Sequence, residues 1–259
     1  MKIVSVDTID RGIAYAEACF ETFRVIDGEC FAWPAHRQRL AVGLSEFGID
    51  LGDDDYESLY TAALDSAAQD GASDVLVRIT ITGGDAGWGL TNRALSPAAY
   101  IQAMPFFSPR KPARLMLKRW PFPLKEKRAK FSSDYAETLR ALAGCKDIDV
   151  LFEKNDLLIA AATANLLLYR QGRWWTPLAD AGVLPGVVRN HLVKAGVAHE
   201  AECPLAWLEE CEALALCNSG IFLRRVVSVT DRKALDGEHP AFRELIEALA
   251  GEAGIPKDI

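Results

Sequence analysis

The chain has no C-x-x-C pair, no G-x-S-x-G elbow, only four histidines, and no apolar run approaching the ~20 residues that cross a bilayer. Each absence removes a class. Six scattered cysteines (Cys19, Cys30, Cys145, Cys203, Cys211 and Cys217) make neither a zinc cage nor a small disulfide framework and read as reduced thiols. Without the elbow, and with His36, His191, His199 and His239 remote from any such turn, an acyl-transfer triad has no support. Basic residues are also short, 29 against 36 acidic, and a net charge of -7 opposes phosphate backbones and anionic membranes. The expectation is a cytoplasmic protein with no leader, no membrane and no nucleic-acid partner, acting on a small molecule.

What is present is enough apolar material, half of 259 residues, for a substantial core in two lobes. From Gly12 to Phe31 the chain reads as a strand pair turning at Asp27-Gly28, a strong hairpin signal. Helical spacing follows at 34–47, stopped by Gly48, and again at 54–69. Val75 to Thr82 alternates as V-L-V-R-I-T-I-T before the loop Gly83-Gly84-Asp85-Ala86-Gly87-Trp88-Gly89. A strand at 99–104 then meets the Pro-rich crossing from Pro105 to Pro112. Beyond it, strands at 114–118, 149–152, 164–169 and 174–177 interleave with helices near 135–143, 186–194, 205–210 and 240–251. The expectation is an α+β protein: an N-terminal lobe 1–107, a linker 108–113 and a C-terminal lobe 114–259, with a ligand cleft between the lobes.

Several residues have chemistry to offer, each beside a plainer reading. Lys130 follows a basic run holding Lys118, Arg119, Lys125, Lys127 and Arg128, which could be no more than a solvated cationic face. An amine among so many cations would also lose basicity and become a better nucleophile toward an aldehyde. Arg39, on the first helix, is apt for an anion but equally ordinary on a helix surface. Gly182-Val183-Leu184-Pro185-Gly186-Val187-Val188-Arg189 places Gly and Pro before a helix whose first N–H groups could cradle phosphate, though most such starts bind nothing. Cys217-Asn218-Ser219-Gly220 is either a second cradle at a strand end or an ordinary turn. The acidic cluster Asp53-Asp54-Asp55 reads as a helix start, not a metal site.

In order and spacing these segments resemble the class IV aminotransferase family, the fold type IV pyridoxal phosphate enzymes with the D-amino-acid aminotransferase-like fold. The resemblance spans about Asp10 to Ser228. Cys19-Phe20-Glu21-Thr22-Phe23-Arg24-Val25-Ile26-Asp27-Gly28 is similar to F-E-T-x-R-V-x-D-G, and His36-x-x-Arg39-Leu40 follows. Arg78, Thr80, Thr82 and their Gly-rich loop resemble R-x-x-x-T-x-G-x-x-G. Thr163-Ala164-Asn165 resembles S-x-N, and Leu184-Pro185-Gly186-Val187-Val188-Arg189 resembles L-P-G-I-T-R.

The resemblance implies pyridoxal 5'-phosphate as cofactor, attached at Lys130. It implies phosphate and ring contacts from Arg39, Asn165, Gly186, Val187, Val188, Asn218 and Ser219, with Thr22 near the cofactor face and Arg78 toward a substrate carboxylate. It also implies a homodimer. Three departures stand out. Ala16-Glu17-Ala18 replaces G-D-G, Val188 replaces a phosphate-binding threonine, and Ala160 replaces the glutamate facing the pyridine nitrogen. That carboxylate keeps the ring nitrogen protonated and the ring an electron sink, so its loss weakens carbanion chemistry unless Glu153 or Asp156 substitutes.

Within the family, Asn218-Ser219 in place of T-G-T, the short chain and the R-V-I-D-G hairpin resemble 4-amino-4-deoxychorismate lyases, which release pyruvate and 4-aminobenzoate, a folate precursor. A branched-chain or D-amino-acid aminotransferase is the alternative. A non-catalytic or repurposed homologue is the third reading, kept open by Ala160 and Val188.

Overall fold

The computed structural model describes every residue except 2, 4, 70, 93–95, 109, 110, 122, 146, 147, 180, 181 and 257–259. The chain divides into two compact units. The first comprises Met1–Glu29, Trp33–Phe106 and Arg128–Ala136. Its elements are β1 (Ile9–Asp10), α1 (Arg11–Tyr15), β2 (Ala18–Ile26), β3 (Glu29–Cys30), α2 (Trp33–Glu46), α3 (Asp53–Ala68), β4 (Asp74–Thr82), β5 (Asp85–Ala86) and β6 (Ala98–Pro105).

The antiparallel sheet of this unit runs β3-β2-β4-β6, with Thr22 opposite Arg78 and Phe20 opposite Thr80. Because strand side chains alternate, the sheet has two unlike faces. Val75, Val77, Ile79 and Ile81 are buried on the face shared with Cys19, Glu21, Phe23 and Val25, whereas Thr22, Arg78 and Thr80 are half-buried on the other. The buried face meets α2, as Phe23 packs its ring 5.7 Å from Trp33 and 5.3 Å from His36. Close approach of α2 requires Gly43, where a Cβ would lie 2.6 Å from Ala129 Cβ and 2.9 Å from Cys19 Sγ.

The start of the chain departs from expectation. Gly12 to Tyr15 are helical in α1, not strand, because Asp10 caps the helix by accepting the Gly12 N–H at 2.7 Å. The same carboxylate accepts the Thr82 and Tyr100 hydroxyls.

The second unit comprises Cys30–Ala32, Phe107–Lys127 and Glu137–Ile259. It holds β7 (Ala113–Arg119), α4 (Ala136–Leu142), β8 (Asp149–Lys154), β9 (Leu157–Ala161), β10 (Asn165–Arg170) and β11 (Arg173–Pro177). It continues with α5 (Val187–Lys194), β12 (Ala198–Ala201), α6 (Trp207–Glu210), β13 (Ala213–Asn218), β14 (Phe222–Val229) and α7 (Phe242–Leu249). Eight strands form one mixed sheet in the order β12-β11-β10-β13-β14-β7-β8-β9. Leu166, Leu168, Leu214, Leu216, Leu115 and Val226 lie at its core. β9, β12 and β14 escape the sequence reading. Ala-rich β9 lacks alternation, β12 is four residues long, and Arg224-Arg225 interrupts β14.

Of the expected linker 108–113, residues 109 and 110 lie outside those described, and Ala113 is already in β7. Lys130 belongs to the first unit rather than to residues 114–259, where the sequence reading puts it. The reason is backbone pairing: the Phe20 N–H donates to Lys130 O at 3.1 Å, and Phe131 bridges Cys19.

Candidate active site

In the first unit, a buried carboxylate organises the cations. Glu21 sits on the helix-facing side of β2 and is fully buried. Arg39 donates from Nε at 2.8 Å and from Nη2 at 2.7 Å, one to each carboxylate oxygen, and His36 Nδ1 lies 2.6 Å from Oε2. Burial alone would raise the Glu21 pKa. The Arg39 charge and hydrogen bonds, joined by His36, overcome it and hold the carboxyl well below the usual range. Since an ionised carboxylate only accepts, His36 carries its proton on Nδ1, and burial lowers its pKa so that it stays neutral.

The Lys130 amine lies 5.6 Å from the Phe20 ring centroid and is enclosed, although part of the residue remains accessible. Desolvation brings its pKa down to about 8, opposed by Glu21 and assisted by Arg39 and Arg78. An ordinary lysine at 10.5 is almost wholly protonated near neutrality. A value near 8 raises the neutral, nucleophilic fraction by roughly three hundredfold there. Burial is thus the larger cause, and Arg39 and Arg78 are cations that add to it.

On the half-buried face, the Arg78 guanidinium stacks 3.7 Å from the Phe20 centroid, and its Nε donates to Thr80 Oγ1 at 3.1 Å. Thr22 is directly opposite on β2. Tyr135, 5.2 Å from the Phe20 ring, completes the group, its phenol pushed up to about 12 by burial. This unit therefore brings Lys130, Arg39, Arg78 and Thr22 into one neighbourhood of β2. Glu21, His36 and Tyr135 belong to it too, although the sequence reading gave them no role. An acid at an odd position of β2, among residues destined for the core, was the available signal.

In the second unit, α5 begins at Gly186, which offers no side-chain oxygen to its first N–H groups. A Cβ at Gly186 would overlap Asn165 Oδ1, so only glycine lets Asn165 approach; Asn165 Nδ2 donates to Leu184 O at 2.9 Å. Val187 and Val188 are buried, so any anion at this start would meet backbone and not a hydroxyl at Val188. Arg189 anchors the helix through Pro177 O and Glu200 Oε1. At the end of β13, Asn218 Oδ1 accepts the Gly220 and Ile221 N–H groups at 2.8 Å, while its Nδ2 donates to Thr163 O. Ser219 is buried beside it. Asn165 pairs with Cys217 across β10 and β13, so the Asn165 and Asn218 turns occupy adjoining strand ends.

Ala160 packs against the buried apolar cluster of Val150, Phe152, Ile159 and Val183. Neither acid considered as a substitute belongs to the apolar cluster that packs around Ala160. Glu153 lies 4.0 Å from Arg119, and Asp156 is exposed in the turn between β8 and β9.

Residues 18–229 match the model of the amino-transferase class IV family. The chain belongs to that family. No curated protein is significantly similar. Among solved structures, a Legionella pneumophila protein whose assignment as a 4-amino-4-deoxychorismate lyase is itself a proposal is 24% identical. The match covers 96% of this chain and 95% of that one, with a TM-score of 0.79. The Escherichia coli branched-chain amino acid aminotransferase is 19% identical over 94% of this chain and 88% of its own, with a TM-score of 0.81. A hypothetical aminotransferase from Mycobacterium tuberculosis, solved with PLP bound, is 19% identical over 96% and 92%, with a TM-score of 0.77. The α+β, fold-type IV architecture of class IV aminotransferases is therefore established for this chain. Among the described residues no helix is long and apolar enough to cross a membrane.

Proposed function

We propose that the chain is a pyridoxal phosphate enzyme acting as a 4-amino-4-deoxychorismate lyase, with Lys130 as the residue that carries the cofactor. The enclosed Lys130 amine, with its pKa near 8, is the observation that carries the reading. The backbone start of α5 would hold the phosphate, with Gly186 admitting Asn165 beside it and Val187 and Val188 supplying N–H groups, and Asn218 and Ser219 would offer a second turn. The bound cofactor would supply electron withdrawal from the substrate carbon bearing its amino group. The chain's own residues do the rest. Lys130, released from the cofactor, takes up or delivers a proton at Nζ near neutral pH. Arg78, stacked on Phe20, meets a carboxylate of the substrate, and Thr22 lines the same face.

The apolar packing around Ala160 favours the lyase over amino transfer. If the cofactor ring met Ala160, as the resemblance implies, its nitrogen would be protonated less readily, and an elimination that produces an aromatic ring would depend on that withdrawal less than amino transfer does. A branched-chain or D-amino-acid aminotransferase is the second reading, supported by the family and the aminotransferase architecture. We place the enzyme in the cytoplasm as a homodimer. Purified protein given 4-amino-4-deoxychorismate should release pyruvate and 4-aminobenzoate. Glutamate formation from amino acids and 2-oxoglutarate, without pyruvate release, would replace the lyase by the aminotransferase.

A further inference from the structure

The charges around Lys130 do not cancel locally. Arg39, Arg78 and Lys130 itself are cations, Glu21 is the carboxylate inside the group, and His36 is neutral. Tyr135 and Asp134 follow Lys130 in sequence, and the Tyr135 phenol is un-ionised. Glu21 also has the geometry of a clamp. Both of its oxygens are engaged by Arg39, and His36 fixes one of them from the next turn of α2. An arginine so held has lost the rotational freedom that a long side chain otherwise keeps.

We propose that Glu21 is a positioning residue: its carboxylate holds the Arg39 guanidinium in a single orientation and balances the cations around the Lys130 amine, coupling Arg39 and Lys130 through one buried charge. The proposal rests on Lys130 being the cofactor-carrying residue. Removing the Glu21 charge leaves the amine facing Arg39 and Arg78 unopposed, which disfavours its protonated form. Removing Arg78 does the reverse. A loosened fold would do neither in that pattern, since water reaching the amine moves it toward ordinary lysine behaviour in every variant.

The test is competitive acetylation of the full-length protein, without added cofactor, from pH 6 to 11. Peptide mapping follows Lys130 against exposed lysines as internal standards. Wild type should show a Lys130 midpoint near pH 8. Glu21→Gln should lower it by about a unit, Glu21→Asp should hold it near the wild-type value, and Arg78→Gln should raise it. Two results overturn the proposal: an unchanged midpoint in Glu21→Gln, or upward drift toward 10.5 in both Glu21→Gln and Arg78→Gln. Failure of the cofactor assignment is read separately, as absence of pyridoxyl label on wild-type Lys130 after borohydride treatment, while the midpoints report the charge cluster itself.

Discussion

Glu21 shows how much a single buried charge can control. Its carboxyl titrates below the unfolded value of about 4.5, so its contribution to stability is complete above that pH and is lost as pH falls toward the folded value. Arg39→Ala strands the carboxylate in the core. The expected loss is about 3–5 kcal/mol at pH 7, the range for removing one partner of a buried pair. Because the stranded carboxyl can protonate, the gap between wild type and variant should narrow toward pH 3. Urea denaturation midpoints between pH 3 and 7 check this, and a gap that widens in acid contradicts the assignment of charge. At this scale the sequence was partly legible. Arg39, Arg78 and Lys130 could be singled out, but the bond that binds Arg39 to Glu21 depends on β2 presenting its odd residues to α2, which only the register reveals.

Elements bring these residues together through close contacts that glycine permits. At Gly43, α2 rests against β2 and the segment leading to Lys130, with 2.6 Å between a built Cβ and Ala129. Gly43→Leu should push the helix outward, costing about 1–3 kcal/mol, and move the Lys130 acetylation midpoint upward as water enters. Thermal melts and the same peptide mapping read both effects. At α5, Gly186→Ala meets Asn165 without backbone strain, since its φ of -64 is open to any residue. The expected result is a loss of affinity for pyridoxal phosphate of about tenfold or more with α5 still formed, measured by titration of the cofactor absorbance. The helices at 34–47 and 54–69 and the alternating strand at 75–82 could be read from periodicity because each has one core-facing side. β9, β12 and β14 could not: an Ala-rich run without alternation, a strand of four residues and one interrupted by Arg224-Arg225 carry no period to detect.

For the whole molecule, the family follows from ordered motifs spread over two units, none of which is decisive alone. The resemblance puts the cofactor lysine at Lys130, and strand pairing ties 128–136 to β2 and so to the first unit, not to the expected lobe 114–259. The apolar surroundings of Ala160 likewise depend on β8, β9 and α4 meeting in three dimensions. The claim on which the rest depends is that Lys130 carries the cofactor. Purified protein incubated with pyridoxal phosphate and reduced with borohydride should lose its visible absorbance and yield one pyridoxyl-labelled peptide, the one containing Lys130, with no label in Lys130→Ala. Protein that stays colourless, or label retained at another lysine when Lys130 is replaced, would contradict it.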